Sequence, residues 1–197
     1  RSGESQNELP LYKVENQQYI HYGKGSVVLY SLQDYIGEDK VNLALKSFLE
    51  EFRYKEPPYP TSNDFLRHLD PHVPDSMKYL VDDLFKKITL YDYRMKEASL
   101  KMQGEQYEVT MTFEARKMYA DTMGIETSAQ LHEWVDVGVF ADEDREDLIA
   151  YKRIYVDEEN MEYTMYVDRK PLKAAIDPRR VVIERIIKDN VLTIKEE

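Results

Sequence analysis

Few residues of this chain could do chemistry, and their spacing narrows the choice. His132-Glu133 opens like the zinc motif H-E-x-x-H, yet position 136 is Asp136, so the second imidazole of the motif is absent. His68 and His72 lie four apart, but Pro71 interrupts the helix that would align them. His21 completes the histidines, and there is no cysteine. The sequence therefore predicts no metal held by this chain alone and no thiolate chemistry. Neither G-x-S-x-G nor a P-loop nor G-x-G-x-x-G occurs, and Gly23-Lys24-Gly25 lacks the spacing of a phosphate loop. Carboxylates are abundant, as in Glu38-Asp39, Glu50-Glu51, Asp82-Asp83 and the run Glu143 to Asp147. Each falls where a solvated face or loop is expected. Tyr22 remains. A phenol keeps its proton at neutral pH and can donate to a developing oxyanion. Tyr22 stands just before Gly23-Lys24-Gly25 and a helical pattern, where a side chain can project into a cleft. Taken singly, as one of sixteen tyrosines, it reads as a packed ring with a satisfied hydroxyl.

Four helices joined by short loops, from about residue 24 to about 88, must position these groups in the first half. Val28, Leu29, Leu32, Tyr35 and Ile36 form one apolar stripe, and Gly37 is placed to stop that helix. Val41, Leu45, Phe48, Leu49 and Phe52 make a second amphipathic face. Prolines 57, 58 and 60 end it. Thr61 with Asp64 reads as a capping box for a short third helix through Phe65, Leu66 and Leu69. Pro74-Asp75 opens a fourth, with Met77, Leu80, Val81, Leu84, Phe85 and Ile88 on one face.

After Ile88 the apolar period changes from helical to two. Strands are expected over 105–116, 131–140, 147–156, 161–167, 181–187 and 191–194. The pair 147–156 and 161–167 brackets a turn-like Asp157-Glu158-Glu159-Asn160, and Asp189-Asn190 reads as another turn. Short strands separated by turn signals suggest an antiparallel β-sandwich. The expected fold class is α+β, with helical residues 1–90 followed by a sandwich over 91–197 and the boundary at 88–96.

The formal net charge is −11 over 197 residues, which disfavours binding to a phosphate backbone, so no nucleic-acid partner is expected. No run approaches the ~18 apolar residues of a membrane-spanning helix. The chain opens on Arg1 rather than Met, and is expected to be a piece of a longer protein.

An ordered series of motifs resembles the zinc aminopeptidases of the aminopeptidase N family, gluzincin metallopeptidases that include the leukotriene hydrolases. The series runs Tyr22-Gly23-Lys24-Gly25, Leu32, Ile36-Gly37-Glu38-Asp39, Ala44-Leu45, Phe48-Leu49 and Phe52, then Pro60-Thr61-Ser62 and Asp64-Phe65. Ile176-Asp177-Pro178 with Asp189-Asn190 resembles the end of the family's β-sandwich. The resemblance covers essentially the whole chain. It is nearest to bacterial membrane proteins that fuse such a peptidase domain to an ABC-transporter permease, which implies a membrane-associated parent.

The resemblance implies the C-terminal, helical part of a thermolysin-like catalytic domain followed by a β-sandwich. It implies that Tyr22 donates to the tetrahedral intermediate of peptide hydrolysis, a role typically worth about 3–4 kcal/mol. It also implies a zinc ion, a peptide substrate and an upstream zinc-binding half in the parent. None of the family's zinc ligands or its general-base Glu stands before Tyr22 here, so the chain by itself is expected to be inactive. The alternative is a non-catalytic peptide-binding or scaffold module of a transporter-associated protein. A third reading is a free-standing sandwich domain with a helical adaptor.

Overall fold

The computed structural model describes residues 7–184 and 186–196 and is α+β. It divides into two compact units, Arg1–Thr89 with Tyr119–Thr127, and Leu90–Met118 with Ser128–Glu197.

In the first unit Gly37 sets the course of the chain. Its φ of +96° suits a residue without Cβ, and its N–H donates to Gln33 O at 2.9 Å, ending helix α1 (Gly25–Ile36). Helix α2 (Glu38–Phe52) starts at once and packs on α3 (Ser62–Leu69). The Asp64 carboxylate accepts both the N–H and the hydroxyl of Thr61 at 2.8 Å, which fixes the start of α3. Val28, Leu32, Ile36, Val41, Leu66 and Leu69 are buried as the helical period marked, with Ala44 added to them, whereas Leu29 and Leu49 of the same two stripes are exposed.

The fourth helix is not a single helix. Pro74 to Lys87 forms a 3-10 turn (Asp75–Met77), one α turn (Tyr79–Val81) and a π-helical stretch (Asp82–Lys86). Leu80, Val81, Leu84 and Phe85 are buried all the same. The wider π turn brings Asp83 inward to 2 % exposure, which corrects the expectation of a solvated carboxylate. The Tyr119 hydroxyl donates to Asp83 at 2.9 Å, and Lys87 donates to that hydroxyl at 3.0 Å. Chiefly through its bond to Tyr119, Lys87 is held above the usual lysine pKa.

The second unit is sandwich-like, two sheets around one apolar core. One sheet runs β3 (Glu126–Ala129), β2 (Gln106–Ala120), β1 (Ile88–Gln103), β9 (Lys195–Glu196), with β6 (Asn160–Val167) also on β2. The other runs β5 (Leu148–Val156), β4 (Glu133–Phe140), β7 (Lys173–Ile176), β8 (Val191–Thr193). The pairings of β2 with β6, and of β4 and β7 with their neighbours, are antiparallel, whereas β9 meets β1 in parallel at Ser99 and Leu100. Tyr93, Met111, Phe113, Val135, Val137, Val139 and Ile176 fill the core.

Two strand expectations are corrected. β5 and β6 do not pair with one another: β5 joins β4 and β6 joins β2. Ala115 N–H donates to Glu159 O at 2.7 Å and Arg116 ion-pairs with Glu159, which draws the chain across to the other sheet as it leaves β5. The two units divide between Thr89 and Leu90, inside the 88–96 expected for the boundary, and the same residues open β1, whose Tyr91, Tyr93 and Met95 alternate inward. The span 181–187 holds only an isolated bridge, Glu184 to Tyr91, among its described residues. Arg180, at φ +55°, turns the chain just before it, and the Glu184 side chain occupies a ladder position beside β1.

Candidate functional site

Tyr22 lies within a π-helical stretch, Tyr19–Lys24, that runs directly into α1. A π turn widens the winding and swings side chains off the α-helical register, a form often found at functional sites. Here it buries Ile20 and leaves Tyr22 71 % exposed. The phenol has no hydrogen-bond partner among the described residues, although its ring touches that of His21, with centroids 4.8 Å apart. A tyrosine that served only packing would bury its ring and satisfy its hydroxyl. This one does neither.

Tyr22 lines an open cleft of about 500 Å³ within the first unit. Leu29 from α1, Leu45 and Phe48 from α2, Phe65 from α3 and Phe85 supply apolar walls, and His21 and Ser26 add polar groups. Phe48 and Phe65 meet edge to face at 6.0 Å, and Phe65 and Phe85 lie 6.2 Å apart. The sequence pattern marked these phenylalanines as core. Phe48 and Phe65 instead stay half-buried as cleft walls, while Phe85 is buried and reaches the cleft as well, and periodicity carries no signal for that difference, because a cleft wall and a core face are equally apolar.

Lys24 ion-pairs with Glu8 at 3.4 Å, so Gly23-Lys24-Gly25 is a helical turn with a committed cation rather than a phosphate loop. The other histidines stand elsewhere. His68 spans Ser47 (Nδ1 to Oγ, 2.9 Å) and Glu51 (Nε2 to Oε2, 2.8 Å). Arg67 first, with His68 behind it, holds the Glu51 carboxyl below its usual pKa. His132 meets the Tyr155 hydroxyl at 3.0 Å, while the adjacent Glu133 is buried in an ion pair with Lys117. His72 ends a 3-10 turn after α3.

A zinc ion needs about four nitrogen, oxygen or sulfur ligands. Of the residue types that supply them, the cleft is lined by one imidazole, His21, and no carboxylate. Among the described residues no group of three or more His, Cys, Asp or Glu side chains could hold a metal ion. The cleft residues alone do not fit a zinc ion, whose ligands the resemblance assigns to an upstream half of the parent. What the cleft offers is an apolar trough with an uncommitted hydroxyl donor at its edge, able to hold an apolar group and to hydrogen-bond a polar atom beside it. No protein-family model matches the chain, and no curated protein matches its sequence.

Proposed function

We propose that this chain carries the oxyanion-donor side of a zinc aminopeptidase of the aminopeptidase N type. In this reading the first unit is the helical, C-terminal part of a thermolysin-like catalytic domain. Tyr22 donates its hydroxyl proton in a hydrogen bond to the substrate carbonyl oxygen as that oxygen gains negative charge. The nucleophile, its metal and the base that activates it come from another part of the parent polypeptide. The substrate is the N-terminal peptide bond of a peptide chain. The observation that carries the reading is the state of Tyr22: exposed, without a hydrogen-bond partner among the described residues, and on the wall of an apolar cleft. The motif series beginning Tyr22-Gly23-Lys24-Gly25 supports it.

The test is Tyr22→Phe in the full-length parent, assayed on an aminoacyl reporter substrate. The expected result is a fall in kcat of about 100-fold or more with KM little changed. A kcat within a factor of two of wild type rejects the role.

The apolar lining of the cleft favours a second reading, a non-catalytic module that holds the apolar side chain of a peptide for a membrane-associated transporter partner. A full-length parent that binds peptides but neither retains zinc nor hydrolyses them selects this second reading.

A further inference from the structure

The second unit holds a cavity of about 270 Å³ that the peptidase reading does not use. The segment 141–147 after β4 and the segment 177–191 after β7 supply most of its wall. Arg145 and Arg180 line it, with Asp144, Asp177 and Asn190. Both arginines are exposed, and neither has an ion-pair partner among the described residues. That is unusual in a chain with 38 acidic residues against 27 Lys and Arg. Arg67, Arg94, Arg116, Arg153, Arg169 and Arg179 each hold a carboxylate.

The nearby acids do not occupy the two guanidiniums. Asp177 spends its oxygens on the N–H groups of Val181 and Val182, at 2.8 and 3.1 Å. Asn190 is 4 % exposed, and its Oδ1 is buried with no partner among the described residues. Its amide is oriented by Nδ2 donating to Glu184 at 2.5 Å. The backbone here is also held in a costly form. Arg145, Asp177 and Arg180 have φ of +64°, +47° and +55°, and Tyr54 is the one other non-glycine residue with positive φ among the described residues. The left-handed turns present both arginines at one cavity.

We propose that this cavity binds a small oxyanion group, a phosphate or a carboxylate, with Arg145 and Arg180 as its ligands. The planar five-donor fork of a guanidinium matches both groups. The volume is below the usual range of cofactor pockets, so the ligand is a terminal group or a fragment-sized anion. The site does not depend on the peptidase reading, because it shares no residue with the Tyr22 cleft.

Inorganic phosphate is titrated into the full chain at ionic strength held constant with chloride, with backbone amide shifts followed by NMR and acetate run as a second arm. The expected result is saturable shifts confined to 141–147 and 177–191. Apparent affinity should weaken about tenfold or more in the variant Arg145→Gln/Arg180→Gln. Arg53→Gln, which removes an exposed unpaired arginine of the first unit, should leave it unchanged. Saturation at lower phosphate than acetate assigns a phosphate-bearing ligand, and the reverse assigns a carboxylate. Linear shifts with both anions, or binding undiminished in the double variant, overturn the proposal. Should the double variant unfold, Arg145→Lys and Arg180→Lys singly keep the charge and lose the fork. Weakened binding in these supports the site, and unchanged binding overturns it.

Discussion

Glu184 accepts the backbone N–H of Tyr93 at 2.5 Å, so a side chain makes the hydrogen bond that a strand carbonyl makes elsewhere along β1. On either side the backbone does the same work. Tyr91 N–H reaches Ile183 O at 3.5 Å, and Met95 N–H donates to Asp189 O at 2.9 Å. Arg94 ties the outer side of the strap to Asp189 at 3.0 Å. The irregular segment is thus laced to β1 without becoming a strand, and an edge that could pair with another chain is covered.

That lacing has a pH dependence with a definite sign. Burial pushes Glu184 up to about 7 and Asp177 up to about 6. For a raised carboxyl the folded state favours the protonated form. Its stabilisation is whole below the ordinary values of 4.5 and 3.8, and is lost as pH rises through about 7 for Glu184 and about 6 for Asp177. Glu184→Gln removes the cost of the buried charge while keeping an acceptor for Tyr93. The melting temperature of the variant should exceed that of wild type at pH 8, with the gap closing toward pH 5. A gap that is constant with pH would show that Glu184 does not titrate in this range.

Gly138 faces a tight approach. A Cβ there would stand 2.7 Å from Ala150 O and 2.9 Å from Tyr151 Cβ, on the strand pair β4–β5. Neither neighbour is the tip of a flexible side chain. Gly138→Ala should cost about 1–3 kcal/mol in urea unfolding, whereas Gly23→Ala, helical and with open space around it, should be neutral or stabilise by up to about 1 kcal/mol.

Lys117 and Glu133 form an ion pair whose two side chains are each 4 % exposed, and the Tyr91 hydroxyl donates to the same carboxylate at 3.3 Å. Removing one partner strands a buried charge. Lys117→Met should lose about 3–5 kcal/mol, and Lys117→Met/Glu133→Leu should recover most of it. Denaturant unfolding of the two single variants and the double variant measures the coupling directly.

Tyr22→Phe should leave the unfolding free energy within about 0.5 kcal/mol of wild type, since the hydroxyl holds no partner among the described residues. Equal thermal unfolding curves for the two proteins check this. A loss above about 1 kcal/mol would instead assign the hydroxyl to the fold.

The mix of helices and antiparallel strands, the Gly37 stop, the Thr61–Asp64 cap and most of the inward positions of α1 to α3 were legible in the residues. Tyr22 was singled out through its motif rather than its chemistry. The cleft beside it was not. Phe48, Phe65 and Phe85 meet from separate elements, and nothing in the spacing of any one stripe says that its apolar face stays partly open. Arg145 and Arg180 were equally silent, because their significance lies in the partners they lack.

By itself the sequence determined the period of each element and the side that turns inward, since apolar spacing is a local property of the chain. It also determined that no zinc motif stands in these residues. The tertiary structure alone decided that β5 and β6 enter different sheets, that a π turn carries Asp83 into a buried bond with Tyr119, and that Tyr22 is left exposed beside an apolar trough. Each of these depends on a partner distant in sequence: Glu159 at Ala115, Tyr119 at Asp83, Phe85 lining the same cleft as Leu29. Local periodicity specifies a surface to be covered, and only the assembled chain specifies what covers it.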